Sequence, residues 1–146
     1  MNFSYVRYEF DPTPTIPSGE VYRPRIPIRI IGPERSVQIF GLLDTGADHV
    51  FISASLAEML GLDPTGEWEV ASGAGGHEID VWSGSVEIEV AQGAQVHRWQ
   101  AVVGFLVDQD DPPIAYLGHV GFLEYFKASF DFAERTIELI PKESIE

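Results

Sequence analysis

Ile26, Ile28 and Ile30 alternate with Pro27 and Arg29, and Val86, Ile88 and Val90 alternate with Glu87 and Glu89. A period of two puts every apolar side chain of such a run on one side of an extended strand, which a helix cannot do. Turn chemistry separates the runs, as in Gly32-Pro33-Glu34-Arg35-Ser36. Val37 to Leu43 reads as a second strand, Val50-Phe51-Ile52 as a short third, and Trp99 to Val107 as a looser one. Val70 to Val81 reads as a hairpin whose tip is Ser72-Gly73-Ala74-Gly75-Gly76. Ile114 to Leu117 is a short strand, and Ser129 to Phe132 with Thr136 to Ile140 forms a hairpin around Ala133-Glu134-Arg135. Short strands with closely spaced turns point to an all-β barrel or sandwich.

Helical pattern is scarce. Ser55-Leu56-Ala57-Glu58 fits a capping box and predicts a helix over about residues 54–60, with Leu56, Met59 and Leu60 buried and Gly61 as the stop. Gly121 to Phe126 predicts one or two helical turns. Residues 1–22 hold Pro12, Pro14 and Pro17 and read as an extended arm or edge strand with turns. A length of 146 residues suits one domain over the whole chain.

Charge and composition remove several function classes. The 23 Asp and Glu outweigh the 9 Lys and Arg, for a net charge of −14, which argues against nucleic acid and anionic membranes as partners. There is no cysteine, so disulfides, cysteine-ligated zinc and thiol catalysis are excluded. The start, Met1-Asn2-Phe3-Ser4-Tyr5-Val6-Arg7, is unlike a secretory signal, no run is long enough to span a membrane, and a cytoplasmic protein is expected. His49, His77, His97 and His119 show no metal-ligand spacing, Asp108-Gln109-Asp110-Asp111 lacks the rest of a calcium loop, and the glycine cluster lacks the lysine of a phosphate loop. Trp68, Trp82 and Trp99 read as core or barrel-surface anchors.

One segment carries chemistry. Leu42-Leu43 runs straight into Asp44-Thr45-Gly46-Ala47-Asp48. An acid at the end of an apolar strand is costly unless donors meet it. Gly46 lets the backbone approach the carboxylate, and Thr45 offers a hydroxyl. Taken alone, Asp-Thr-Gly equally describes a strand-end turn with Asp as a cap.

The context resembles the retropepsin-like, or retroviral-type, aspartic protease family. Three elements occur in that family's order between about Arg23 and Ile140: the loop Leu42 to Asp48, the Gly73-Ala74-Gly75-Gly76 hairpin, similar to the family's flap tip, and Ile114-Ala115-Tyr116-Leu117-Gly118, similar to the segment behind the active-site loop. The resemblance implies a retropepsin-like acid-protease barrel with a flap hairpin and one or two short helices. It implies an aspartic endopeptidase that needs no metal or organic cofactor and acts on a polypeptide substrate. In that chemistry two facing carboxylates share a proton, one acting as general base on a water and the other as general acid. This chain has a single Asp-Thr-Gly, so the dyad would be Asp44 from each of two copies of a homodimer, with Thr45 bonding across the two-fold axis and Gly46 completing the motif. Ala47 and Asp48 would line the cleft, Gly73, Ala74 and Gly75 would cover the substrate, and Ile114 and Tyr116 would line pockets or, equally, pack in the core. Arg23-Pro24 is similar to an Arg-Pro whose arginine pairs across the family's dimer.

Two departures bear on this reading. His119-Val120 stands where retroviral members carry Arg and then Asp or Asn. His119 is expected either to pair with Asp48 or to pack as an ordinary histidine. The C-terminal hairpin lies beyond the helical turn, which predicts a dimer interface built from that hairpin. The alternative to an enzyme is a catalytically weak or inactive peptide-binding or dimerisation module of the same fold.

Overall fold

The computed structural model describes residues 1–63, 68–72, 76, 78–107 and 112–142. Its strands are β1 (Asn2–Ser4), β2 (Val6–Glu9), β3 (Glu20–Arg23), β4 (Arg25–Ile31), β5 (Ser36–Leu43), β6 (Phe51–Ser53), β7 (Trp68–Ser72), β8 (Glu78–Gln92), β9 (Gln95–Leu106), β10 (Ala115–Leu117), β11 (Phe126–Asp131) and β12 (Thr136–Pro141). One helix, α1 (Ala54–Leu60), and a 3₁₀ turn, Leu123–Tyr125, complete the described elements.

The main sheet runs β4-β5-β10-β6-β9-β8-β7, and β4 also pairs with β8, so six strands close into a barrel and β7 extends from it as a hairpin with β8. Closure removes the open edges of those six strands. The pairings β5–β10 and β6–β9 are parallel and the others in the barrel antiparallel. The period-two reading of the interior holds: Ile26, Ile28, Ile30 and Ile88 are at most 1% exposed. Each such side chain contributes about 2 kcal/mol of burial. Phe105, stacked on Trp82 at 4.5 Å, belongs to the same core. Trp99 is half-buried, with its indole N–H donating to Gly121 O at 2.7 Å. The side chain of Trp68 lies outside the described residues.

The helix spans the expected residues, Ala54–Leu60, but is capped and packed differently from its sequence pattern. Ser53 precedes the first turn, and its hydroxyl accepts the Ile114 N–H at 2.8 Å, tying α1 to the lead-in of β10. Ser55 lies inside the helix, so the capping box is not its start. The buried stripe is Leu56, Ala57 and Leu60, whereas Met59 is 52% exposed, because the i, i+1, i+4 face turns inward and Met59 falls on its flank. Gly61 does end the helix, at φ +82°, a conformation that favours glycine.

The helical turn after β10 is only the 3₁₀ turn. Phe126 is already extended and paired with Pro141, so the chain enters β11 before a longer helix can form. The proline-rich arm contributes β1 and the β2–β3 hairpin. A three-stranded sheet runs β1-β12-β11, with Phe3 opposite Ile137. Met1 and Leu139 exchange two 2.8 Å hydrogen bonds, and Ile137 and Leu139 reach the common core.

Candidate active site

β5 ends by handing the chain to Asp44 between two neighbours. The Leu43 N–H donates to Pro24 O at 2.9 Å and the Asp44 N–H to Leu117 O at 3.1 Å. The chain then turns sharply. The Gly46 N–H donates to Asp44 Oδ1 at 2.8 Å, and the Ala47 N–H to Asp44 O at 3.2 Å. A backbone donor to a carboxylate is a charge-assisted bond that fixes its orientation. Asp44 is half-buried at the end of an apolar strand, while Thr45 and Gly46 are exposed. An oriented carboxylate that still meets solvent suits proton transfer more than core packing.

The segment Gly118 to Val120 crosses behind this loop and holds its carbonyls. The His119 N–H donates to Ala47 O at 3.1 Å, the Val120 N–H donates to Asp48 O at 2.9 Å, and His49 and Val120 form a parallel bridge. Gly118 allows the crossing: a Cβ there would sit 2.4 Å from His49 O and 2.5 Å from Ala47 O. The His119 ring makes neither expected contact. Its Nε2 is 2.7 Å from Thr45 O, so the ring donates to the loop's own backbone. Asp48 is exposed and enters no ion pair among the described residues. Nothing in the sequence signals the Thr45–His119 contact, which joins residues 74 positions apart.

Replacing His119 with Ala removes one hydrogen bond, worth about 1 kcal/mol, from the loop. Amide exchange at Gly46 and Ala47 should quicken roughly fivefold in His119→Ala. Unchanged protection at both amides would show that the ring does not restrain the loop.

The residues expected to share a site divide into two sets. Asp44, Thr45, Gly46, Ala47 and Asp48 form the loop, and β10 lies directly beside its stem, with Tyr116 opposite Leu42 and Phe51. Ala115 and Leu117 face the core, whereas Ile114 and Tyr116 are half-exposed on the other side of the strand. Gly73, Ala74 and Gly75 lie outside the described residues; the hairpin that carries them is paired from Trp68 with Trp82 to Ser72 with Glu78. Among the described residues no group of three or more acidic or histidine side chains could hold a metal, and no helix is long and apolar enough to cross a membrane.

A family model for aspartyl proteases matches residues 26–119. The chain belongs to the aspartyl protease family. The segment matched to this aspartyl protease family contains the Asp44 loop, the glycine hairpin and the crossing as far as His119, and it begins just after Arg25. The crystal structure of a retropepsin-like aspartic protease from Rickettsia conorii is similar, with 19% sequence identity, a TM-score of 0.50, and coverage of 92% of this chain and 98% of that one. At that identity the likeness speaks for the fold, an all-β retropepsin-like barrel. No curated protein matches the chain.

Proposed function

We propose that this aspartyl protease is an endopeptidase whose catalytic dyad is assembled from Asp44 of two copies of the chain. The observation that carries the proposal is the Asp44 carboxylate, fixed by the Gly46 N–H at 2.8 Å in a loop that remains open to solvent. A single chain has one Asp-Thr-Gly, and two facing carboxylates are what allow one to stay protonated while the other takes a proton from water. Thr45 and Gly46 hold the loop, and Ala47, Asp48, Ile114 and Tyr116 line the substrate cleft. The flap is assigned to Gly73, Ala74 and Gly75 on the same analogy. Exposed Phe130 and Phe132, at 40% and 58%, supply apolar area on the C-terminal hairpin for contact between copies.

The test is cleavage of a diverse peptide library by wild type and Asp44→Asn between about pH 4 and 7. Cleavage by wild type alone supports the enzyme. Peptide binding with no products from either protein supports the binding module instead.

Charge governs assembly under this reading. Two copies carry −28, twice −14, so they repel at neutral pH and low salt. Sedimentation velocity should show tighter association at about pH 5.5 or with added salt than at about pH 8 in low salt. Equal or tighter association at the higher pH in low salt contradicts this.

A further inference from the structure

The crossing segment fixes the Asp44 loop only as firmly as it is held itself. It leaves the loop through Gly121, which is buried and has φ +95°. A glycine has no side chain to restrict its own backbone, so outside contacts must fix it. Two groups supply them. The Gly121 N–H donates to Glu124 Oε1 at 2.8 Å, and Gly121 O accepts the Trp99 indole N–H at 2.7 Å. The backbone of Glu124 grips the same segment again, with its N–H donating to His119 O at 3.0 Å, next to the bond from Leu123 N–H to Gly118 O at 2.9 Å.

Both partners of Gly121 have fixed bases. Tyr125 O accepts the Lys142 N–H at 2.9 Å, which ties the 3₁₀ turn to the end of the C-terminal hairpin. The Trp99 ring lies 5.4 Å from Phe122, 5.0 Å from Tyr125 and 5.5 Å from Phe126, centroid to centroid. A carboxylate that takes a backbone N–H makes a charge-assisted bond, about twice as strong as a neutral one. Glu124 is exposed and outside the core cluster, so this bond is made without burying its side chain. From Gly121 the route to Asp44 is short: the neighbouring Val120 N–H holds Asp48 O, His119 N–H holds Ala47 O, and the Ala47 and Gly46 N–H groups bond Asp44 itself. Gly121 and Glu124 lie beyond the segment matched to the family, which ends at residue 119, so the clamp is additional to that match.

We propose that Glu124 is a positioning residue for Asp44: together with Trp99 it clamps Gly121, and through the crossing segment it keeps the Asp44 carboxylate in place. The proposal rests on the protease reading above.

The first measurement does not depend on activity. Amide exchange at Gly46 and Ala47 is followed in wild type, Glu124→Ala, Glu124→Gln and Trp99→Phe. Gln92→Ala, which loses the amide contacts of Gln92 with Asn2, is the control for a hydrogen-bond loss elsewhere. Exchange should quicken about tenfold in Glu124→Ala, the scale of a charged hydrogen bond, and about threefold in Trp99→Phe, which keeps a ring but loses the N–H. Glu124→Gln retains an acceptor oxygen and should lie closer to wild type than to Glu124→Ala, and Gln92→Ala should match wild type. Wild-type rates in Glu124→Ala or in Trp99→Phe, no recovery in Glu124→Gln, or equal quickening in Gln92→Ala overturns the proposal. Trp99→Phe decides if Glu124→Ala does not fold. The second measurement is cleavage at a temperature where the variants are folded. Glu124→Ala should lower kcat about tenfold with KM within about twofold, because a misplaced carboxylate slows the chemical step more than it weakens the hold on substrate. Unchanged kcat, or a change confined to KM, overturns the proposal. If wild type cleaves nothing, the exchange rates alone decide the positioning role, and only the protease reading fails.

Discussion

Mixing wild-type chains with an equal amount of Asp44→Asn chains, and allowing the copies to exchange, should leave about half of the cleavage per wild-type chain. Random pairing puts each wild-type chain opposite an Asn chain in about half of its dimers. Such a mixed site holds one carboxylate, so no second group shares its proton. Asp44→Asn by itself should lower cleavage by on the order of 10³-fold, the scale of losing positioned acid–base catalysis. The substitution keeps the size of the side chain, and its amide oxygen can still accept the Gly46 N–H, so the fold should persist. Sedimentation of the variant checks this. Unchanged activity per wild-type chain in the mixture, with exchange verified, would mean that one chain carries a complete site.

Gly118→Ala should damage stability and activity together. The added methyl would lie 2.4 Å from His49 O and 2.5 Å from Ala47 O, both backbone atoms that no rotamer change can clear. Either the Asp44 loop moves away from the crossing segment or the bond from His119 N–H to Ala47 O breaks. Overpacking of this kind costs about 3 kcal/mol, which for a domain of this size lowers Tm by roughly 10 °C. Cleavage should fall below wild type even at temperatures where the variant is folded, because small displacements of a catalytic group are expensive in rate. Gly93→Ala is a useful control: at φ +59° the backbone is strained for alanine, yet nothing lies within 4 Å of the new methyl. A Tm for Gly118→Ala within about 2 °C of wild type would refute the close crossing.

The strands were legible because their signal is local. Alternation at Ile26, Ile28 and Ile30 requires only that neighbouring side chains point to opposite sides, and all three are buried. The Asp44 loop was legible for a similar reason, since the acid, the glycine that bonds it and the apolar strand before it are contiguous. The bounds of α1 were legible as well, but its capping box was not used: Ser55 lies inside the helix, and the Ser53 hydroxyl just before it accepts the distant Ile114 N–H. Met59 was misread as buried because an amphipathic stripe has a flank, and which side of it meets the barrel depends on how the helix is docked.

By itself, then, the amino-acid order determined an all-β chain, the strand faces, the end of the helix at Gly61 and the single carboxylate loop. Each follows from interactions between residues a few positions apart. Tertiary structure decided that β4 returns to β8 to close the barrel and that β10 inserts between β5 and β6. It decided that Met1 binds Leu139 across 138 positions, that the His119 ring bonds the Thr45 carbonyl and not Asp48, and that the guanidiniums of Arg23 and Arg25 both pack over the ring of Tyr8. Such contacts depend on which faces meet when the whole core is buried at once, and local patterns do not rank those alternatives.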